Sequence, residues 1–441
     1  MTGMRPWQSA PLLAASVLAH GCGGFDPVTM GQTGGAGQGP GAGGASIGES
    51  DGAPTTDDAA GGSSPGDGGT ASPTTAPMGL HVLTMVRPHI EDDGGNIIVL
   101  RGVNRSGTEY RCVQNATAIF DGASDEPSVQ VMASWKISAV RVPLNEACWL
   151  ALAANGGSSP ANSGDAYKNA IRAYVALLQK YGLVPILDLH WVGPGTSRAD
   201  RLQPLPDADH APAFWTDVAT TFKDNGGVVF EPFNEPFPDS NRDTATAWQC
   251  WRDGCTANQA VPADAGAMMY AATGMQGLVS AIRAAGATNL VLLGGIEYSN
   301  GLSQWATYKP TDPANNLAAA WHVYNFNACA AEACWSTFPA SLAAVVPIVA
   351  TEIGENDCGG TFITSLMQWL DTNGSGYLAW SWNAFGACRP GTRTGQGGRP
   401  WSLVTDYASG TPNVSIPDAG VVGASYAKTF HDHVVSLAGT P

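Results

Sequence analysis

Positive charge is what this chain has least of: 21 Lys and Arg stand against 37 Asp and Glu, a net charge of -16, with no basic run. Binding a polyanion needs a basic face, so nucleic acid is excluded as a partner, while a neutral polymer such as a polysaccharide fits. Charge of either sign is sparse, at 13% of residues. Long apolar runs are lacking too, and none reaches the roughly 20 residues of a membrane-spanning helix. Tight C-x-x-C pairs and His partners at ligand spacing are missing, which argues against structural zinc, so no metal site is expected. His210, in Asp207-Ala208-Asp209-His210, is assigned to a loop or helix cap instead.

Glycine and proline, by contrast, are abundant (55 and 30), and much of both falls in the first eighty residues. Arg5 is a minimal positive start, and Leu12 to Ala19 is an apolar stretch too short to cross a bilayer. His20-Gly21-Cys22-Gly23-Gly24 follows, and this resembles a bacterial lipoprotein signal, in which the Cys becomes the lipidated first residue. Ala19 stands where such signals usually carry Leu, and an ordinary cleaved signal with Cys22 as a stray thiol is the alternative. From Gly31 to Pro77 the chain is almost wholly Gly, Ala, Ser, Thr, Pro and Asp, too polar to offset the entropy of ordering. The organisation expected is a signal peptide over 1–22, a flexible linker over 23–79 and one folded domain over 80–441. The location expected is secreted, at the bacterial cell surface or outer membrane, with a lipid on Cys22 as the sole membrane contact. A monomer is expected.

Nine cysteines are an odd count; with Cys22 set aside, the other eight are expected to form four bridges in an oxidising compartment. Cys250–Cys255 and Cys329–Cys334 are the shortest loops to close, leaving Cys112 with Cys148 and Cys358 with Cys388.

Beyond Leu80, eight short apolar runs alternate with amphipathic stretches. The runs start at Ile97, Ala139, Val184, Val228, Leu290, Ala319, Pro347 and Gly376; Tyr167–Tyr181, Ala213–Lys223, Met268–Ala285 and Thr361–Leu370 are helical in pattern. Such alternation predicts an α/β fold, a (β/α)8 TIM barrel, with Leu80–Glu91 and the turn residues Asp92-Asp93-Gly94-Gly95 forming an N-terminal β-hairpin that closes its floor. A doubly wound sheet would carry a Gly-rich phosphate loop after its first strand, and Arg101-Gly102-Val103-Asn104-Arg105 is not one.

Barrel chemistry sits at the C-terminal strand ends. Here those ends hold Arg141, His190, Asn234 and Glu235, His322 and Tyr324, Glu352, and Trp380 with Trp382. Glu235 and Glu352 come from opposite sides of the mouth, and two facing carboxylates are what glycoside hydrolysis requires. Arg141 and the Tyr324 hydroxyl are placed to keep Glu352 ionised, while burial and a negative neighbour keep Glu235 protonated. Each Glu taken alone also has a structural explanation. Glu231, deeper on the fourth strand, is assigned a structural role inside the barrel.

Phe233-Asn234-Glu235-Pro236, Ala350-Thr351-Glu352-Ile353-Gly354, Arg141-Val142-Pro143 and Leu187-Asp188-Leu189-His190, with Trp321-His322-Val323-Tyr324 and Trp380-Ser381-Trp382, resemble glycoside hydrolase family 5, the cellulase-type clan A barrels. The resemblance implies Glu235 as acid/base, Glu352 as nucleophile and Asn234 on the sugar 2-hydroxyl. It implies that Arg141 and Tyr324 support the nucleophile and that His190 and His322 shape the sugar site. Trp380 is the expected platform under the sugar, with Trp382 second because it lies two residues on and so on the same strand face, and Trp191 a further contact. The expected activity is an endo-β-1,4-glucanase; β-mannanase, β-1,3-glucanase or exo-β-glucosidase activity uses the same two Glu. A non-catalytic, surface carbohydrate-binding lipoprotein is the alternative of a different class. No cofactor is expected, because two carboxylates suffice for this chemistry.

Overall fold

Strands that are apolar on both faces must be covered on the outside by helices and filled on the inside by their own side chains. The structure, a computed structural model, describes residues 82–114, 118–154, 157–259, 268–386, 401–414 and 425–437. The signal and linker segments, Cys22 and Cys388 lie outside the described residues. Eight strands close a parallel barrel: β1 (Arg101–Asn104), β2 (Ala139–Asn145), β3 (Val184–Trp191), β4 (Val229–Glu231), β5 (Val291–Gly294), β6 (Leu317–Tyr324), β7 (Ile348–Gly354) and β8 (Gly376–Ala379). Each pairs with its successor, and β8 returns to β1. The fold is therefore a (β/α)8 barrel.

Alternation along each strand sorts its residues. Val140, Val142, Leu187, Leu189 and Val323 join the outer core, which also takes the buried stripe Tyr167, Ile171, Tyr174, Val175 and Leu178 of helix Asp165–Lys180. Inward, the lowest positions form a separate apolar floor that includes Leu100, Ala139, Ile186, Val229, Leu292, Ala320, Val349 and Leu378. Leu83, Met85 and Ile90 complete it from an N-terminal hairpin, Thr84–Val86 paired with His89–Glu91. This hairpin turns at Arg87-Pro88, whereas Asp92 to Gly95 make a second turn that returns Ile97 to Glu91. The first barrel strand consequently starts at Arg101, because Ile98 is bonded back to Ile90. Asn316 locks the plug in place: its Oδ1 accepts from Met85 N at 2.7 Å, and its Nδ2 donates to Leu83 O at 3.2 Å and Thr288 O at 3.0 Å.

Two departures from regularity matter higher up. In β7 the register slips by one residue against both neighbours: Ala320 faces Val349 but His322 faces Glu352, and Ala350 faces Tyr377 but Ile353 faces Ala379. A bulge of this kind re-aims a side chain. Val349 faces the floor and Ala350 the outer core, so strict alternation would turn Thr351 inward and Glu352 outward. The extra residue turns both inward. The second departure is an inserted antiparallel hairpin, Gly254–Gln259 with Met268–Thr273. The amphipathic pattern expected from Met268 onward thus begins as a strand, and the helix runs only over Met275–Ala284. A paired partner strand overrides the local helical pattern there.

Cys112–Cys148, Cys250–Cys255 and Cys329–Cys334 are bonded, and Cys358 is also disulfide-bonded. Removing the Asn316 side chain strands buried backbone groups at Leu83, Met85 and Thr288. Asn316→Ala is expected to destabilise the barrel by about 2–3 kcal/mol in guanidinium unfolding, leaving the geometry of the mouth unchanged.

Candidate active site

Above the apolar floor the inward positions turn polar all at once: Asn104 from β1, Arg141 from β2, Asp188 and His190 from β3, Glu231 from β4, His322 and Tyr324 from β6, Thr351 and Glu352 from β7. The Arg141 guanidinium, fully buried, holds them together. Its Nε donates to Glu231 Oε2 at 2.6 Å; Nη1 donates to Glu352 Oε1 at 2.7 Å and Asn104 Oδ1 at 3.0 Å. Its Nη2 donates to Asn234 Oδ1 at 2.7 Å and lies 3.0 Å from Asp188 Oδ2. Burial works against this charge, yet Asp188, Glu231 and Glu352 outweigh it and hold the guanidinium further above its ordinary range.

Glu352 has both oxygens occupied, Oε1 by Arg141 and Oε2 by the Tyr324 hydroxyl at 2.6 Å. Burial and the Glu352 charge push Tyr324 far above the usual phenol range, so it stays a donor. A side chain on Gly354 would place its Cβ 2.8 Å from the Tyr324 ring, so the glycine leaves room for that ring.

Glu235 lies four residues past the end of β4, not within it. Its Oε1 is 3.0 Å from His322 Nδ1. Burial raises the Glu235 carboxyl above its ordinary value; His322 pulls it down and the charge on Glu352 pushes it up again. His322 is itself pushed up to about 10, since the surrounding Glu352, Glu231 and Glu235 outweigh its desolvation. Beneath, Glu231 is held below the carboxylate range: Arg141 and His322 overcome its burial. It also accepts from Thr351 Oγ1 at 2.8 Å, an interior structural role. Glu235, His322 and Glu352 each offer a polar atom, all within 4.8 Å of one another.

On the rim, His190 Nδ1 pairs with Asp188 Oδ2 at 2.7 Å, and its ring stacks on Trp380 at 5.5 Å and 7°. Trp191 approaches Tyr110 at 6.4 Å. Trp382 does not share the face of Trp380. β8 ends at Ala379, so the two-residue period no longer applies, and Trp382 is fully buried edge-on to Trp135 at 4.7 Å. Trp248, Trp251, Trp305 and Trp335 are likewise core residues. Trp401 lies beside Tyr324 and Phe326, and Phe237 stacks on Tyr298 at 4.6 Å. Asn104 and Asp188 also belong to the polar layer, a place that the strand-end reading gives to neither. The inward period through Asp188 and His190 was the available signal for one of them.

Two carboxylates facing each other at the mouth of a closed barrel, with oxygens within 4.8 Å, are the pair that a retaining glycoside hydrolase uses. The chain belongs to glycosyl hydrolase family 5: the family model "Cellulase (glycosyl hydrolase family 5)" matches residues 100–386. The fold is similar to that of a β-glucanase from Saccharophagus degradans (17% identity, 81% of this chain and 93% of that one, TM-score 0.55). It is also similar to a β-mannanase from Thermomonospora fusca (14% identity, 75% and 91%, TM-score 0.51). The catalytic domain of a Thermobifida fusca endoglucanase is a third likeness (15% identity, 80% and 97%, TM-score 0.50). No curated protein sequence matches the chain significantly.

Arg141→Ala leaves Asp188, Glu231 and Glu352 buried without their cation, and is expected to cost about 3–5 kcal/mol in chemical denaturation. The pH dependence follows from His322, whose value rises on folding from 6.5 to about 10. A raised value means that its contribution is complete below the unfolded value and is lost as pH climbs through the folded one. Stability is therefore expected to fall between about pH 6.5 and pH 10, and the fall should be shallower in His322→Gln.

Proposed function

We propose that the protein is an endo-β-1,4-glucanase working by double displacement, with Glu235 as acid/base and Glu352 as nucleophile. The observation that carries the mechanism is the unequal treatment of the two carboxylates: Glu352 is gripped by Arg141 and Tyr324, while Glu235 is buried beside a negative neighbour. Glu352 attacks the anomeric carbon as Glu235 gives its proton to the departing glycosidic oxygen. Once glycosylated, Glu352 carries no charge. The neighbour that raised Glu235 is then gone, and Glu235 becomes the base that activates water in the second step. Asn234 has its carbonyl oxygen on Arg141, which leaves its amide N–H groups for the sugar 2-hydroxyl. Trp380, backed by His190, offers its other face to a pyranose ring.

Support for a polymeric β-glucan comes from the aromatic side chains around the mouth. Tyr110 with Trp191, Phe237 with Tyr298, and Tyr324, Phe326 and Trp401 lie on the loops and strand ends of several different strands. The similar β-glucanase from Saccharophagus degradans has been crystallised with cellotetraose. The Cys22 signal and the polar linker support a surface-anchored enzyme.

Activity of the full chain on carboxymethylcellulose, glucomannan, xylan and laminarin tests the substrate, with the first expected to lead. Glu352→Gln should abolish turnover, and near-wild-type activity there would sink the nucleophile assignment. Glu235→Ala should lose about 10²–10⁴-fold and regain activity with azide as a β-glycosyl azide, since the nucleophile is intact.

A further inference from the structure

Away from the paired carboxylates, Glu146, Asp207 and His210 meet where three connections converge above the barrel. Glu146 directly follows β2, Asp207 and His210 close the connection after β3, and Asp207 bridges to Ala272 of the inserted hairpin. Each carboxylate commits one oxygen to a backbone N–H: Gly193 N donates to Glu146 Oε2 at 3.0 Å, and His210 N to Asp207 Oδ1 at 2.7 Å. The remaining oxygens, Glu146 Oε1 and Asp207 Oδ2, are buried without a hydrogen-bond partner, and so is His210 Nδ1. Both carboxylate residues are fully buried. His210 occupies the N-cap position of helix Ala211–Phe222, yet its side chain caps nothing. It turns to the carboxylates, with Nδ1 3.4 Å from Asp207 Oδ1 and 3.8 Å from Glu146 Oε2. The three residues offer ligand atoms all within 4.8 Å of one another. Among the described residues no Lys or Arg forms an ion pair with either carboxylate.

Two adjacent buried carboxylates are costly; one oxygen of each lacks a hydrogen-bond partner, and His210 is the one basic side chain paired with them among the described residues. A cation bound between them relieves that cost. We propose that Glu146, Asp207 and His210 bind a divalent transition-metal cation of the zinc or manganese type, fastening the connections after β2 and β3 beside the inserted hairpin. One imidazole nitrogen with two carboxylate oxygens suits such an ion, with a fourth position for water; calcium prefers six to eight oxygens. The backbone N–H groups of Gly193 and His210 orient the two carboxylates, as outer partners do in established sites.

The rival explanation is a proton shared between Glu146 and Asp207. The test uses the purified full chain carrying Glu352→Gln, which removes one ligand of the separate cluster formed with Glu235 and His322. The protein is stripped with chelator, dialysed, and titrated with zinc or manganese chloride, with bound metal measured by elemental mass spectrometry and stability by thermal unfolding. One equivalent is expected to bind and raise the unfolding midpoint by several degrees. His210→Gln and Glu146→Gln should each weaken binding at least about tenfold and abolish the midpoint rise. Equal binding in parent and variants would overturn the site. So would no uptake together with a more stable Glu146→Gln, which is the shared-proton result. Stabilisation by calcium with zinc and manganese inert would overturn the metal class.

Discussion

A single buried guanidinium organises the upper half of this barrel. Arg141 reaches Asn104 on β1, Asp188 on β3, Glu231 on β4, Asn234 beyond β4 and Glu352 on β7. Desolvating such a charge costs several kcal/mol, and only a complete set of partners offsets it. The partners are buried acids that need the cation as much as it needs them. Strands far apart in sequence are thereby held to one arrangement, and the Glu352 carboxylate is fixed before substrate arrives. Lysine in its place would supply the charge without the fork that serves these partners at once.

This network depends on an irregularity. Thr351 and Glu352 are consecutive, yet Thr351 bonds Glu231 and Glu352 bonds Arg141, both inside the barrel. Only the bulge in β7 lets neighbours share a face. The apolar floor below needs no such device, because regular alternation delivers Val349, Leu378 and Ala320 to it. Regular geometry makes the scaffold, and a local departure from it makes the site.

The same division explains what the sequence makes legible. Eight apolar runs and their intervening helices follow from period alone, and so do Arg141, His190, His322 and Tyr324, which sit in phase on their strands. The bulge leaves no mark in the residues themselves, so Glu352 is found by its place at a strand end and by motif, and not by alternation. Trp382 is misplaced by the alternation argument because the strand has already ended. Asn104 closes a strand whose start lies four residues later than the apolar run beginning at Ile97 suggests. Met268–Thr273 reads as helix until its partner strand is seen. Asp207 and His210 stand three residues apart, but Glu146 comes from another connection, so no spacing announces the three together.

The floor plug has a consequence of orientation. Residues 82–91 enter the molecule beneath the barrel, where Leu83, Met85 and Ile90 seal the end opposite the paired carboxylates. Residue 82 thus joins the barrel at the end opposite its mouth, which leaves the mouth open on the side away from the entering chain.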